Sequence, residues 1–381
     1  MIPVSLYAFY FHPLKLLPIL LRYFLPKNLL LRKVTLKIEE IYENFDVILV
    51  ASGRSAIYDF LNCIIKLKKF KNRNEVLIPD YICNVVDRAV IKSNLIPVKY
   101  KTDEYFRPMK EDIYTKISEK TLAVIFAPIF GSYDDTFVQA AELCARTTDA
   151  FIVFDNAQCI SCKPPKETDA IILSFNNKDI WGVMGGALLI KREKSRAYLK
   201  FNPEKLSFHE EFRYLLEFFK ILYKILISPL SASRSNRLYF EHSTCSRFPY
   251  MLNKKAISKI SLVFALHGLN ELQNYKIKRE KNYKAFKEWC EILKIVKIIE
   301  TKNVSTAPFI PVRVIGDIRN VLLTFNELGV QVKMPYALDD DPESSARRDV
   351  IAIPNNPNFD YTKIFRVIPE LYQYSHIKKR V

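Results

Sequence analysis

TLAVIFAPIFGSYDDTFVQAAELCARTTDAFIVFD, residues 121–155, carries the pattern that decides the fold. Thr121–Pro128 is a short run of apolar and β-branched residues. Gly131 ends it, Thr136–Ala145 has a helical pattern, and Phe151–Asp155 is a second apolar run. Runs this short, apolar at nearly every position, suit strands covered on both faces. A helix between two such strands is the crossover of a parallel pair.

The same alternation extends in both directions. Val47–Ala51 is followed by Ser52-Gly53-Arg54-Ser55 and a helical pattern through Ile57, Phe60, Leu61, Ile64 and Ile65. Glu75–Pro79, Ile96–Tyr100, Ala170–Phe175 and Gly186–Lys191 read as further strands, and Ile82–Lys92 as a helix. This predicts an α/β protein with a mainly parallel sheet and helices on both faces, over residues 46–240. Beyond residue 240 the texture changes. Ser258–Leu272, Lys276–Leu293, Arg319–Leu328 and Asp360–Leu371 read as helices, Phe309–Val314 and Val330–Met334 as strands, and Asp339–Glu343 as a surface loop. Residues 241–381 therefore read as a smaller α+β domain.

The chain has 381 residues, 49% of them hydrophobic, which suits two domains rather than one. Its net charge of +17 favours anionic partners. Lys and Arg are spread along the chain without a nucleic-acid motif, so nucleic acid is not the expected partner. Seven Cys, an odd number, do not suggest a disulfide framework and point to a reducing compartment. Cys159 and Cys162 form a C-x-x-C without the second half of a zinc site and read as ordinary thiols. His209, His242 and His267 lack metal-like spacing and read as surface or packing residues, so no metal is expected.

Residues 1–45 form an apolar, basic arm. Its first 33 residues are broken by Pro13, Pro18 and Pro26 and contain Lys15 and Arg22. That is not a spanning helix, and no signal-peptide pattern is present. Phe212–Leu230, also apolar with interleaved Lys and Arg, reads as an insertion of the same kind. Two such segments suit either the surface of an anionic membrane or packing against a partner subunit or the main domain. The expected location is the cytoplasm, at the inner face of the membrane if these segments bind lipid.

In open α/β sheets, ligands bind beyond the carboxyl ends of the strands. Ser52-Gly53-Arg54-Ser55 falls there and opens a helix. Free N–H groups, a small Gly, a hydroxyl and a guanidinium suit a phosphate, although a plain Ser N-cap has the same pattern. Asp155 ends a strand, where it can hold a protonated ring nitrogen or cap a helix. Gln158 lies three residues on. Ser174-Phe175-Asn176-Asn177-Lys178, then Trp181 and Gly185-Gly186, places a Lys between two buried strands. Partial burial would make such a Lys nucleophilic toward an aldehyde.

In their order, these segments resemble the DegT/DnrJ family of sugar aminotransferases, within the aspartate-aminotransferase fold (fold type I). The resemblance runs from about Val47 to Leu371. It is carried by SGRSAI, EVLIPDYICNVVDRAVIKSNLIPVKY, LAVIFAPIFGSYDDTFVQAAELC, FIVFDNAQ and SFNNKDIWGVMGGALLI, with Ala256–Tyr283 and Phe309–Val332 following. It implies pyridoxal 5'-phosphate (PLP) as cofactor, joined as a Schiff base to Lys178, which also serves as acid and base. It further implies Asp155 on the pyridinium N–H, Gln158 at the ring hydroxyl, and Gly53, Arg54 and Ser174 at the phosphate with Ser55 nearby. The implied reaction takes an amino group from a donor, glutamate first, to a ketone of a nucleotide-linked sugar. The implied assembly is a homodimer. Arg54 stands where the family usually has Thr. Cys83 stands where it often has a stacking aromatic, for which Tyr81 is the substitute. The Ser174–Lys178 spacing is one residue short. A membrane-associated PLP enzyme acting on a lipid-linked substrate, and a non-catalytic binding module, are the alternatives.

Overall fold

The computed structural model describes residues 13–176, 178–180, 184–198, 203–231, 255–327, 330, 332, 349–357 and 360–364. Asn177, Trp181, His242, the Asp339–Glu343 loop, most of the Val330–Met334 strand and the last helix beyond Ile364 lie outside them.

Seven strands form the main sheet: β1 (Phe45–Val50), β2 (Glu75–Pro79), β3 (Ile96–Tyr100), β4 (Thr121–Phe126), β5 (Phe151–Asp155), β6 (Ala170–Ser174) and β7 (Gly186–Lys191). Their order is β1-β7-β6-β5-β4-β2-β3. β3, β2, β4, β5 and β6 are parallel, whereas β7 runs antiparallel to both β6 and β1. Every residue of β4 and β6 is buried, as a sheet covered on both faces requires.

The helices are α1 (Pro13–Leu21), α2 (Lys27–Glu39), α3 (Gly53–Ile64), α4 (Asn84–Lys92), α5 (Lys110–Lys116), α6 (Asp135–Thr147), α7 (Arg192–Tyr198), α8 (Phe208–Ser231), α9 (Lys259–Asn270), α10 (Leu272–Leu293), α11 (Ile318–Glu327) and α12 (Tyr361–Ile364). Alternate strand residues point to opposite faces. Val76, Ile78, Ile125, Val153 and Ile172 meet α3 and α4 on one face. Leu77, Val124, Phe126, Ile152 and Phe154 meet α5 and α6 on the other. Beyond them, Leu49, Ile171, Leu173, Ala187 and Leu189 meet α2 and α9. α9 is apolar on nearly all sides and buried along most of its length, and α1, α2 and α8 pack around it. The inner side of the N-terminal arm is thus taken by this chain itself: Leu30, Val34 and Ile38 of α2 are completely covered.

A second sheet of three antiparallel strands, β8 (Val296–Ile298), β9 (Phe309–Val314) and β10 (Val350–Pro354), has the order β10-β9-β8. Tyr283, Phe286, Trp289, Phe325 and Tyr361 from α10, α11 and α12 fill its core. α10 joins the two cores, with Tyr275 in the main-sheet core and Tyr283 in the second.

Cys159 and Cys162, read from sequence as separate thiols, are joined as a disulfide. The turn between them, closed by Cys162 N–H donating to Cys159 O at 3.0 Å, brings their Cα atoms to 5.3 Å, within disulfide reach.

The first residue of β7 has no room for a side chain. A Cβ on Gly186 would lie 2.5 Å from Gly53 N, 2.6 Å from Leu173 O and 2.7 Å from Ser52 C, all backbone atoms. Gly186→Ala should therefore lower stability by about 1–3 kcal/mol, the usual cost of overpacking. A urea titration checks this; an unchanged midpoint would contradict it.

Candidate active site at the carboxyl end of the sheet

The parallel strands deliver their last residues to one end of the sheet: Ser174 from β6, Asp155 from β5, Phe130 shortly after β4 and Tyr81 shortly after β2. α3 starts beside this row. Ser52, extended at φ −168°, caps it through Oγ, which accepts from Ser55 N at 3.2 Å and lies 2.9 Å from Ser55 Oγ. The Ser N-cap expected from sequence is present, and it engages the Ser55 hydroxyl within the helix.

Gly53 sits against Ser174: a Cβ on Gly53 would meet Ser174 Cβ at 3.1 Å. Gly185, at φ +95°, turns the chain there, with its N–H donating to Ala51 O at 2.9 Å and its carbonyl accepting from Phe175 N at 3.0 Å. A positive φ costs a glycine little. The helix N-terminus and the end of β6 thus form one unit, with the half-buried Arg54 beside it. Arg54 has no ion pair among the described residues.

Asp155 ends β5, the next strand over, and Lys178 lies in the turn that follows β6. Burial pushes the Asp155 carboxyl above the ordinary carboxylate range. The Lys178 charge and the Ala157 N–H, 3.2 Å from Asp155 Oδ1, act against it. Gln158 is buried, and its Oε1 accepts from Phe130 N at 3.1 Å. Phe130 has φ 53°, and Thr301 Oγ1, from the loop after β8, donates to its carbonyl at 2.6 Å. Tyr81 is buried with its ring stacked on Phe106 at 5.0 Å, and Phe106 meets Phe130 edge-on at 5.1 Å. One face of the Tyr81 ring is therefore taken by Phe106.

The structure thus brings Gly53, Arg54, Ser55 and Ser174 together at the helix start. It sets Asp155, Lys178 and Gln158 beside them, and Tyr81 further along the row. Sequence reasoning missed the support beneath Lys178. Asp179 is buried; its Oδ2 accepts from Ile160 N at 2.7 Å and its Oδ1 from Arg279 Nη1 at 2.7 Å. Ile160 O accepts from Tyr42 OH at 2.5 Å, and the Tyr42 hydroxyl accepts from Asn156 Nδ2 at 3.2 Å. Arg279 lies in a heavily charged helix and is not singled out by its sequence neighbours. Its position in the buried stripe Tyr275, Arg279, Asn282, Phe286, Trp289 was the available signal.

Solved structures with this fold set the arrangement in context. Helicobacter pylori PseC, an aminotransferase involved in the biosynthesis of pseudoaminic acid, is 13% identical with a TM-score of 0.64, over 92% of each chain. TlmJ, an aminotransferase from Streptoalloteichus hindustanus, is 14% identical with a TM-score of 0.65, over 97% of each chain. E. coli GDP-4-keto-6-deoxy-D-mannose-3-dehydratase, solved with bound hydrated PLP, is 10% identical with a TM-score of 0.62, over 97% of this chain and 99% of that one. No protein-family model and no curated protein matches the sequence. The chain has the fold of these enzymes, the fold that the resemblance of its segments implies.

The Asp155 carboxyl yields a pH prediction. In the folded chain it keeps its proton to higher pH than in the unfolded chain. Stability is therefore lost as pH rises from about 3.9, the unfolded value, through the folded one. Asp155→Asn removes that cost and keeps an acceptor for Ala157 N–H. The cofactor-free variant should melt higher than wild type at pH 7, with the gap closing below about pH 4. A lower melting temperature at pH 7 would contradict the assignment.

Proposed function

We propose that this protein is a PLP-dependent aminotransferase of the DegT/DnrJ type. It takes an amino group from a donor, glutamate first, to a keto group of a nucleotide-linked sugar, for polysaccharide, glycolipid or secondary-metabolite synthesis. The observation that carries this reading is Asp155 at the end of β5, with Lys178 in the turn after the neighbouring β6 and close enough for its charge to act on the carboxyl, beside a helix N-terminus packed on Ser174. The PLP-bound dehydratase and the two aminotransferases of the same fold support it. We further read residues 46–240 as the cofactor-binding domain, residues 241–381 as the small domain, and the working unit as a homodimer.

The residues present fit the cofactor. The glycine-lined junction of α3 and β6 offers N–H groups and the Ser174 hydroxyl to a phosphate, with Arg54 supplying a cation where a neutral hydroxyl is usual in the family. When bound, PLP supplies an aldehyde and an electron-withdrawing ring through which an amino group is exchanged with a ketone. Lys178 Nζ is the nucleophile toward that aldehyde and, when released, moves the substrate proton. The Asp155 carboxylate holds the proton on the ring nitrogen. Contact with that cation lowers its pKa from the raised value set by burial. Gln158, fixed by Phe130 N–H, borders the ring hydroxyl, and Tyr81 lines the pocket.

With PLP added, purified wild type should show the visible band of a lysine-bound cofactor, and Lys178→Ala should lose it. Asp155→Asn should keep the band but slow transamination about 10²–10³-fold, the usual loss for an electrostatic contact made at the reacting group. A wild type without the band would overturn the enzyme reading and favour a non-catalytic binding module.

A second reading concerns where the enzyme works. Leu17, Leu21 and Phe24 form one stripe on the outer side of α1 and the turn after it, at 59%, 56% and 82% exposure. Residues 1–38 contain six Lys and Arg and no Asp or Glu. Phe208, Phe212, Leu216 and Phe219 make a similar exposed stripe on α8, which is tied to α2 by the Lys27–Glu211 ion pair. No helix among the described residues is long and apolar enough to cross a membrane. An apolar stripe on a strongly basic arm fits an anionic lipid surface, and with it a lipid-linked substrate. The protein should float with phosphatidylserine-containing vesicles and not with phosphatidylcholine vesicles. Leu17→Ser/Leu21→Ser/Phe24→Ser should abolish flotation without changing the protein's mass in solution. A variant that turns monomeric would instead assign the stripe to a second copy of the chain.

A further inference from the structure

The guanidinium of Arg279 is the point at which the second sheet's unit touches the backbone of the candidate catalytic lysine. The side chain is completely buried, on the turn of α10 between Tyr275 in one core and Tyr283 in the other. Toward the main sheet, Nη2 donates to Lys178 O and Asp179 O, each at 2.8 Å, and Nη1 to Asp179 Oδ1 at 2.7 Å. Toward the other side, Nε donates to Asn355 O at 3.3 Å and Nη1 to Thr306 O at 3.4 Å. Thr306 precedes β9 and Asn355 follows β10. Every nitrogen of the group is engaged, and four of its five acceptors are backbone carbonyls from three separate segments.

A lone ion pair at this depth would be a poor source of stability, because desolvating both charges offsets their attraction. Burial indeed pushes the Arg279 guanidinium below its usual range, with Asp179 opposing the fall. A planar fork that reaches carbonyls on both sides does what an apolar pair could not. It fixes the relative position of the segments it joins.

We propose that Arg279 is a positioning residue. It holds the Lys178–Asp179 backbone against the loops flanking β9 and β10, so that the reach of Lys178 Nζ depends on how the second sheet's unit is seated. This rests on Lys178 being the cofactor lysine. A lysine at position 279 keeps the charge for Asp179 but cannot span the carbonyls, so Lys178 stays able to join the cofactor while its placement relaxes.

The test is the pH titration of the visible band in PLP-loaded wild type and Arg279→Lys, with melting temperatures alongside. The variant should keep the band, with its titration midpoint displaced by about one pH unit, a tenfold change in the proton equilibrium at the lysine nitrogen. A merely structural role lowers the melting temperature and leaves the midpoint in place, which would overturn the assignment. If Arg279→Lys does not fold, Asp179→Asn/Arg279→Gln takes its place: it removes both charges together, keeps an acceptor for Ile160 N–H and amide donors for part of the carbonyls, and cannot span both sides. The same displacement is expected there. A wild type without the band overturns the cofactor reading and this assignment together; a wild type with the band and variants with unmoved midpoints overturn this assignment alone.

Discussion

The close approach of three backbones around Gly186 sets the geometry of everything above the sheet. β7 enters between β1 and β6 against the direction of both, and its first residue has Gly53, Ser52 and Leu173 within 2.7 Å of where a side chain would begin. Only a residue without a Cβ lets the start of α3 settle on the end of β6. That contact places the first turn of α3 beside Ser174. The register of β6 against β5 then puts Asp155 one strand away and Lys178 a few residues beyond. The seating of the start of α3 on Ser174 and the placement of Asp155 near the Lys178 turn thus follow from one packing constraint.

The site is held from below by polar groups in an apolar setting. Asp179, Ile160, Tyr42 and Asn156 form a chain of hydrogen bonds under the lysine segment, and Arg279 closes it from the second sheet's side. Such networks gain little net stability, yet a broken member leaves a buried polar atom with a large penalty, so they favour a single arrangement. Asp155 differs in kind. Its burial is a cost to the protein alone, and a cationic ring nitrogen is what would relieve it. A group held at a cost to stability in a cleft is where function is to be sought.

Much of the fold was legible in the sequence, because fully buried strands leave unbroken apolar runs. Thr121–Phe126, Phe151–Asp155 and Glu75–Pro79 each read directly as strands. The direction of β7 was not legible, since Gly-Ala-Leu-Leu-Ile-Lys has the same pattern run either way. β8 is three residues long and falls below any periodicity. The Ile82–Lys92 helix starts two residues late, at Asn84, because Cys83 takes the extended cap position. Among site residues, those next to strand ends could be placed by the topology alone. Arg279 could not, since its burial depends on a partner a hundred residues away. Its place among Tyr275, Asn282 and Phe286 on the buried side of α10 was nevertheless visible. The disulfide between Cys159 and Cys162 depended on a local turn that a C-x-x-C spacing permits without requiring.

The most direct test of the central claim is to find which side chain the cofactor is attached to. PLP-loaded protein would be reduced with borohydride, which fixes the cofactor to its lysine, then digested and mapped by mass spectrometry. The account predicts the added mass on the peptide containing Lys178 and on no other lysine. Attachment at a different lysine, or none after loading, would contradict it.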